Sequence, residues 1–246
     1  IELLFFSTIF LKFSLMVQAT PPYSLFKDNS RVDELVTKFR NGDAKEEYRG
    51  LSADEYSEMQ EELYKWVEYY KVEFKAQTFT PLSSNQKLVL MTRAEYGFLG
   101  YYNKNRRSPF ERYYVGGDGM TGYSSTYSTT AVKLRGYGNG SLTPEDPVTG
   151  RDAGNIYTRL SLELRYPLML ETTTTIYLLA FADAGNAWSE FNDFNPFDLK
   201  RSLGVGVRVF LPMLGLIGVD WGYGFDDPYH VGEGGSNFHF VIGQEF

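Results

Sequence analysis

With no cysteine and two histidines in 246 residues, this chain carries few groups able to do covalent or metal chemistry. The lack of cysteine removes a disulfide framework, thiolate zinc ligation and a thiol nucleophile. His230 and His239 belong to no serine elbow and have no metal-ligand spacing, so they read as solvent-facing and interior polar residues rather than catalysts. Gly117-Asp118-Gly119-Met120-Thr121-Gly122 fits G-x-G-x-x-G, a pattern that cradles a pyrophosphate only between a strand and a helix; no amphipathic helix follows it. Glu145-Asp146 and Asp226-Asp227 offer the hard oxygens calcium prefers, but read first as solvated loop acids. Asn139-Gly140-Ser141 has only the spacing of a glycosylation acceptor. No catalytic residue, metal or cofactor is therefore assigned. What remains is Leu134-Arg135-Gly136-Tyr137, followed by Gly138-Asn139-Gly140 and preceded by Gly116 and Gly117. It sets a planar guanidinium, able to grip carboxylates with charge-assisted hydrogen bonds, in glycine-rich surroundings.

The elements that must hold this arginine follow from a two-residue period, which recurs in about eight segments. Ile9, Leu11, Phe13, Leu15 and Val17 alternate with Lys12, Ser14 and Gln18. Trp66, Tyr70, Val72, Phe74 and Ala76 alternate with Lys71, Glu73, Lys75 and Gln77, and Leu88, Leu90, Ala94, Tyr96 and Phe98 with Lys87, Arg93 and Glu95. Leu160, Leu162, Leu164 and Tyr166 oppose Arg159, Ser161, Glu163 and Arg165, while Ile176, Leu178, Ala180 and Ala182 oppose Tyr177, Phe181 and Asp183. Leu203, Val205, Val207 and Val209 oppose Ser202, Gly204, Gly206 and Arg208. Ile217, Val219, Trp221 and Tyr223 oppose Gly218, Asp220, Gly222 and Gly224. The last run ends the chain: Phe238, Phe240, Ile242 and Phe246 share one face, with His239, Val241, Gly243 and Glu245 on the other.

Connections alternate between short (81–86, 167–174, 212–215) and long (21–64, 103–155, 225–236), with 188–200 between them in length. Asp54 to Leu63, rich in Glu, fits a short helix within the first long connection. Outer-membrane barrels show this asymmetry of tight turns and long loops, whereas a soluble β-sandwich need not sort its loops by end. The expected fold is all-β: a transmembrane antiparallel β-barrel whose aliphatic rows meet lipid and whose charged rows line a wet lumen. Composition agrees. Aromatics make up 17% of the chain and no apolar run approaches the roughly 20 residues of a membrane helix. Mean hydropathy is −0.32, which a strand with one lipid face tolerates. A formal charge of −7 excludes a basic footprint for nucleic acid. Ile1 to Ala19 has a signal-peptide look at Val17-Gln18-Ala19, but its alternation and acidic Glu2 favour a strand, so the chain is expected to begin inside a domain.

The Leu134-Arg135-Gly136-Tyr137 element, with the terminal Phe238 to Phe246 strand, resembles the BamA-type outer-membrane protein insertases. In them a Val-Arg-Gly-Phe/Tyr element tips a long loop that folds back into the barrel. The resemblance covers nearly the whole chain; Leu134 departs from the family's valine. It implies that Arg135 meets a glutamate on the next strand and an aspartate on the following one, which in this sequence are Glu163 and Asp183. It implies also that residues 1–246 form the C-terminal part of a barrel of about sixteen strands, with the POTRA domains and first strands outside it. In that arrangement 21–64 is a long extracellular loop, 103–155 folds into the lumen, and the C-terminus is periplasmic. An eight-stranded barrel would be too narrow to admit such a loop.

The implied function is assembly and insertion of β-barrel proteins into the bacterial outer membrane, through a weak seam and strand templating. Implied partners are client barrels, accessory assembly lipoproteins and the lipid bilayer; no enzyme activity is expected. A superfamily channel exporting a polypeptide is the alternative, and an outer-membrane enzyme a more distant one. Gly243 either lets the last strand bend inward at the seam or relieves crowding in a tilted wall.

Overall fold

The structure is a computed structural model that describes residues 9–43, 45–108, 110–119, 129–146, 152–171, 174–212, 215–229 and 234–243. Among them, eight strands form one antiparallel sheet in the order β1-β2-β3-β6-β7-β8-β9-β10. They are β1 (Phe10–Ala19), β2 (Tyr70–Pro81), β3 (Val89–Gly100), β6 (Ile156–Leu170), β7 (Thr175–Trp188), β8 (Lys200–Leu211), β9 (Gly215–Gly224) and β10 (Ser236–Ile242). The short pair β4 (Arg112–Val115) and β5 (Thr129–Val132) lies inside the 103–155 connection and pairs in parallel. The wall is a meander in which each strand pairs with its chain neighbour, β4 and β5 apart, and its two edges are β1 and β10.

Alternation sets the register. On β6 the outward Leu162, Leu164 and Tyr166 are 52%, 38% and 45% exposed, while the inward Ser161, Glu163 and Arg165 are each 2%. β8 repeats the pattern, with Leu203 and Val205 exposed opposite buried Ser202 and Arg208. A one-residue slip would send arginine and glutamate into the apolar face, so the pairing is strongly specified. β6 shifts register between Pro167 and Met169, where proline has no N–H for the ladder. β1 pairs with β2 along its whole length, from Phe10 opposite Phe79 to Ala19 opposite Tyr70, and both its faces are exposed.

Two features depart from the sequence reading. The 21–64 connection is a packed helical hairpin, α1 (Ser30–Asn41) against α2 (Ala53–Lys65), and the first helix went unread. Val32, Leu35, Val36 and Phe39, at helical spacing, pack on Leu51, Met59 and Leu63. Ser52 and Glu55 close a capping box at the start of α2. The inner side is also drier than expected: Phe79, Val89 and Met91 form one buried inner cluster, and Tyr177, Leu179, Phe181 and Leu216 another.

Candidate functional site: the arginine-pinned loop

The described residues between 103 and 146 fold back against the inner face of the wall. Their core joins Tyr113, Val115, Val132, Leu134, Tyr137 and Leu142 to strand residues Leu99, Tyr157 and Ala187. Leu134, the departure from the family's valine, is fully buried there. Gly117 and Leu134 exchange backbone hydrogen bonds at 3.0 and 3.1 Å, so the first glycine of the pyrophosphate-like pattern serves a loop bridge. Met120 to Gly122 of that pattern lie outside the described residues.

This packing carries Arg135 to the wall, where its side chain is completely buried. Nε donates to Asp183 Oδ2 at 2.7 Å and Nη2 to Asp183 Oδ1 at 2.8 Å, a two-toothed grip on β7. Nη2 also donates to Ser161 on β6 at 3.1 Å. Nη1 approaches Glu163 Oε1 at 2.8 Å and Asp220 Oδ2 at 3.6 Å. The Glu163 approach is an ionic contact without the direction of a hydrogen bond, and among the described residues Nη1 has no hydrogen-bond acceptor. Beneath the fork lies the Phe181 ring, 3.6 Å from the guanidinium carbon.

Each acid has additional partners. Ser161 donates to Asp183, Arg165 donates to Glu163 at 2.9 and 2.6 Å, and Arg208 grips Asp220 at 2.6 and 2.8 Å. The expected wet lumen is here a sealed ion cluster, because the loop's apolar core covers it. Removing one partner from such a cluster strands a charge where water cannot reach it.

The next residue rests on backbone. Gly136 has φ +84°, and a Cβ there would fall 2.8 Å from Ser202 Cβ and 2.9 Å from Gly224 N. Only glycine fits both the dihedral and the gap. From β10, Asn237 and His239 reach the same glycine: its N–H donates to His239 Nε2 at 2.8 Å, and Asn237 Nδ2 donates to its carbonyl at 3.2 Å. Tyr137 donates to the Arg201 carbonyl at 2.7 Å and accepts from Asp226 N at 3.3 Å. Burial pushes its phenol up to about 12, so it remains a donor at neutral pH.

The structure thus brings Leu134, Arg135, Gly136 and Tyr137 together with Glu163 and Asp183. Phe238, Phe240 and Ile242 are 68%, 59% and 69% exposed on the outward face of β10. Gly243 follows the last paired residue with φ +110°, a left-handed break that favours glycine, and its N–H bonds to Leu216 O at 2.9 Å. Phe246 lies outside the described residues, as does His230.

Sequence reasoning missed four participants. Asp220 and His239 were placed only on the inner face, and Asn237 carried no signal beyond its parity with His239. Asp146, read as a solvated acid, is completely buried, meeting Arg107 at 3.0 Å and Arg112 at 3.2 Å. Arg107 also pairs with Glu190 and Arg112 donates to Asn155, which fixes the base of the loop as Arg135 fixes its tip. Asp226, the other supposed solvated acid, receives two hydrogen bonds from the Arg201 side chain. Those bonds hold its carboxyl below the usual carboxylate range. Among the described residues no group of acids and histidines is arranged to hold a metal ion.

An antiparallel wall, apolar outside and charged inside, with a glycine-tipped arginine loop locked against its inner face, defines a β-barrel wall of the loop-latched type. The Omp85 superfamily domain matches residues 49–246, and the chain belongs to that superfamily. It is 31% identical over 149 residues to the outer membrane protein assembly factor BamA of Neisseria meningitidis serogroup B, covering 58% of this chain and 16% of that protein. It is 29% identical over 139 residues to the BamA of Nitratidesulfovibrio vulgaris, covering 56% of this chain and 16% of that one. The chain therefore spans about a sixth of the length of these curated relatives. A crystal structure of BamA from Haemophilus ducreyi lacking POTRA domains 1–3 overlays with a TM-score of 0.49 and 19% identity, over 70% of this chain and 34% of that one.

Proposed function

We propose that these strands are the C-terminal half of an outer-membrane barrel of about sixteen strands, which assembles and inserts other β-barrel proteins. The reading is supported by superfamily membership and by the curated relatives, which are named as assembly factors. The observation that carries it is the buried fork of Arg135 on Asp183. A passive pore has no need of a long loop riveted to its inner wall. A wall whose edge must open needs bracing elsewhere, and the fork ties the loop to β6 and β7, away from that edge.

In this reading the C-terminus faces the periplasm, and the helical hairpin and the 103–155 loop enter from the outside. The outward rows of β2 to β10 meet hydrocarbon. Phe238, Phe240 and Ile242 mark a terminal strand at the seam, and Gly243 weakens its end. A client strand adds there by β-augmentation, using main-chain hydrogen bonds for affinity. Partners are client barrels, accessory lipoproteins and the bilayer itself. No bond is made or broken in the client, so neither catalytic residue nor cofactor is required.

The test is the full-length protein in liposomes, offered a urea-unfolded eight-stranded outer-membrane barrel as client. Folding, followed by the gel shift of the compact barrel, should run several-fold faster than in empty liposomes. Equal rates, with and without accessory lipoproteins, would refute the assembly reading.

A further inference from the structure

We propose that Asn237 and His239 form a clasp on the loop tip that confines opening of the terminal strand to the part beyond His239. The proposal rests on the assembly reading and assigns positioning residues to it.

The geometry is specific. Asn237 and His239 are two apart on β10, so both point inward, and together they take the N–H and the carbonyl of one residue, Gly136. A ring nitrogen that accepts at 2.8 Å is unprotonated, so the imidazole is neutral with its proton on Nδ1. His239 is 5% exposed, which keeps water from replacing the bond. Gly136 in turn is pressed onto β9 and β8 and follows Arg135, which is fixed on β7 and β6. The clasp therefore ties the edge strand to wall strands three and four places away, independently of the β9–β10 ladder.

Beyond His239 the hold changes character. Val241, the next inward residue, is apolar, while Phe240 and Ile242 point outward. The paired residues end at Ile242 opposite Ile217, and Gly243, at positive φ, adds one last backbone bond to Leu216 O at 2.9 Å. A strand that opens from the Gly243 side does so one backbone pair at a time. From Gly243 upward it loses ladder bonds, at His239 it must also break a buried bond to the loop, and the Asn237 bond follows two residues on. Peeling stops there. The edge offered to an incoming strand then begins at Phe240, while Ser236–His239 stay paired as the fixed end of the gate.

Amide hydrogen exchange resolved to single residues, on the full-length protein in lipid nanodiscs, tests this. Ladder amides at 237–239 should exchange about tenfold more slowly than those at 240–242, the scale of one well-made buried hydrogen bond. His239→Leu, which keeps bulk but cannot accept, should bring both sets to the same rate. His239→Gln, whose amide oxygen can accept, should retain most of the difference. Asn237→Ala should narrow it, and provides the reading if His239→Leu fails to fold. A uniform rate along wild-type β10 would overturn the clasp, as would unchanged protection in His239→Leu. An equal loss in the Leu and Gln variants would assign the effect to packing and also overturn it. Client folding by the same wild-type preparation is scored separately, so a failed assembly reading is distinguishable from a failed clasp.

Discussion

Arg135→Ala should release the 103–155 loop, and the structure indicates which of its partners suffers. Glu163 keeps Arg165, and Asp220 keeps Arg208, each at 2.9 Å or closer. Asp183 loses both strong donors and retains the Ser161 hydroxyl, with no exposed side-chain surface to let water in. Breaking a buried pair by removing one member costs about 3–5 kcal/mol. With about 1.4 kcal/mol per tenfold, the undocked population rises by about two to three and a half orders of magnitude. Limited proteolysis of the full-length protein in outer-membrane vesicles reads this directly, as new cuts between Asn103 and Asn155. Because most of the cost is the stranded carboxylate, Asp183→Asn added to Arg135→Ala should restore part of the resistance. The double-mutant coupling should exceed about 1 kcal/mol, well above the scatter of independent sites. Unchanged cutting in Arg135→Ala, or additive effects in the pair, would refute the pin.

Gly136→Ala leaves every charge in place but forces a Cβ against Ser202 and the Gly224 backbone at positive φ. It should loosen the loop by at least about 1–3 kcal/mol in the same protease assay, the scale of one strained backbone residue. Leu35→Ala, at a fully buried position of the hairpin core, should cost the hairpin about 2–5 kcal/mol and reduce helical circular dichroism. Because Asp33 and Asn29 hold Asn105 and Arg106, added cutting in the loop should fall near 105–106 and spare the Arg135 tip. Val205→Arg, on the exposed outward face of β8, should lower stability in bilayers by about 2–4 kcal/mol if that face meets hydrocarbon, as measured by reversible unfolding from liposomes.

Strands were legible in the sequence wherever the two faces of the wall have opposite chemistry, which stamps a two-residue period on the chain. Leu203 to Val209 against Ser202 to Arg208 is the clearest case. The period blurs where the inner face is itself apolar, as at Phe79, Val89 and Met91, whose burial depends on strands pairing across the turn. α1 is harder to see in the sequence because Val32, Leu35, Val36 and Phe39 are diluted among charges, within a connection whose overall composition is polar. Arg135, Glu163 and Asp183 could be named through family resemblance joined to face parity. Parity alone placed Asp220 and His239 inward without indicating a partner. Asp146 was beyond reach, since its burial comes from Arg107 and Arg112, which lie 39 and 34 residues earlier in the chain. Long-range contacts decide burial, and no local pattern records them.

The helical hairpin has a core of its own, and Arg31, Glu34, Lys38 and Glu58 turn their salt bridges toward solvent. Substitutions on that outer skin leave the apolar contacts beneath it, and the wall below, as they were. The hairpin is therefore a natural place for sequence drift between strains, and a ready graft site for a foreign epitope or an affinity tag.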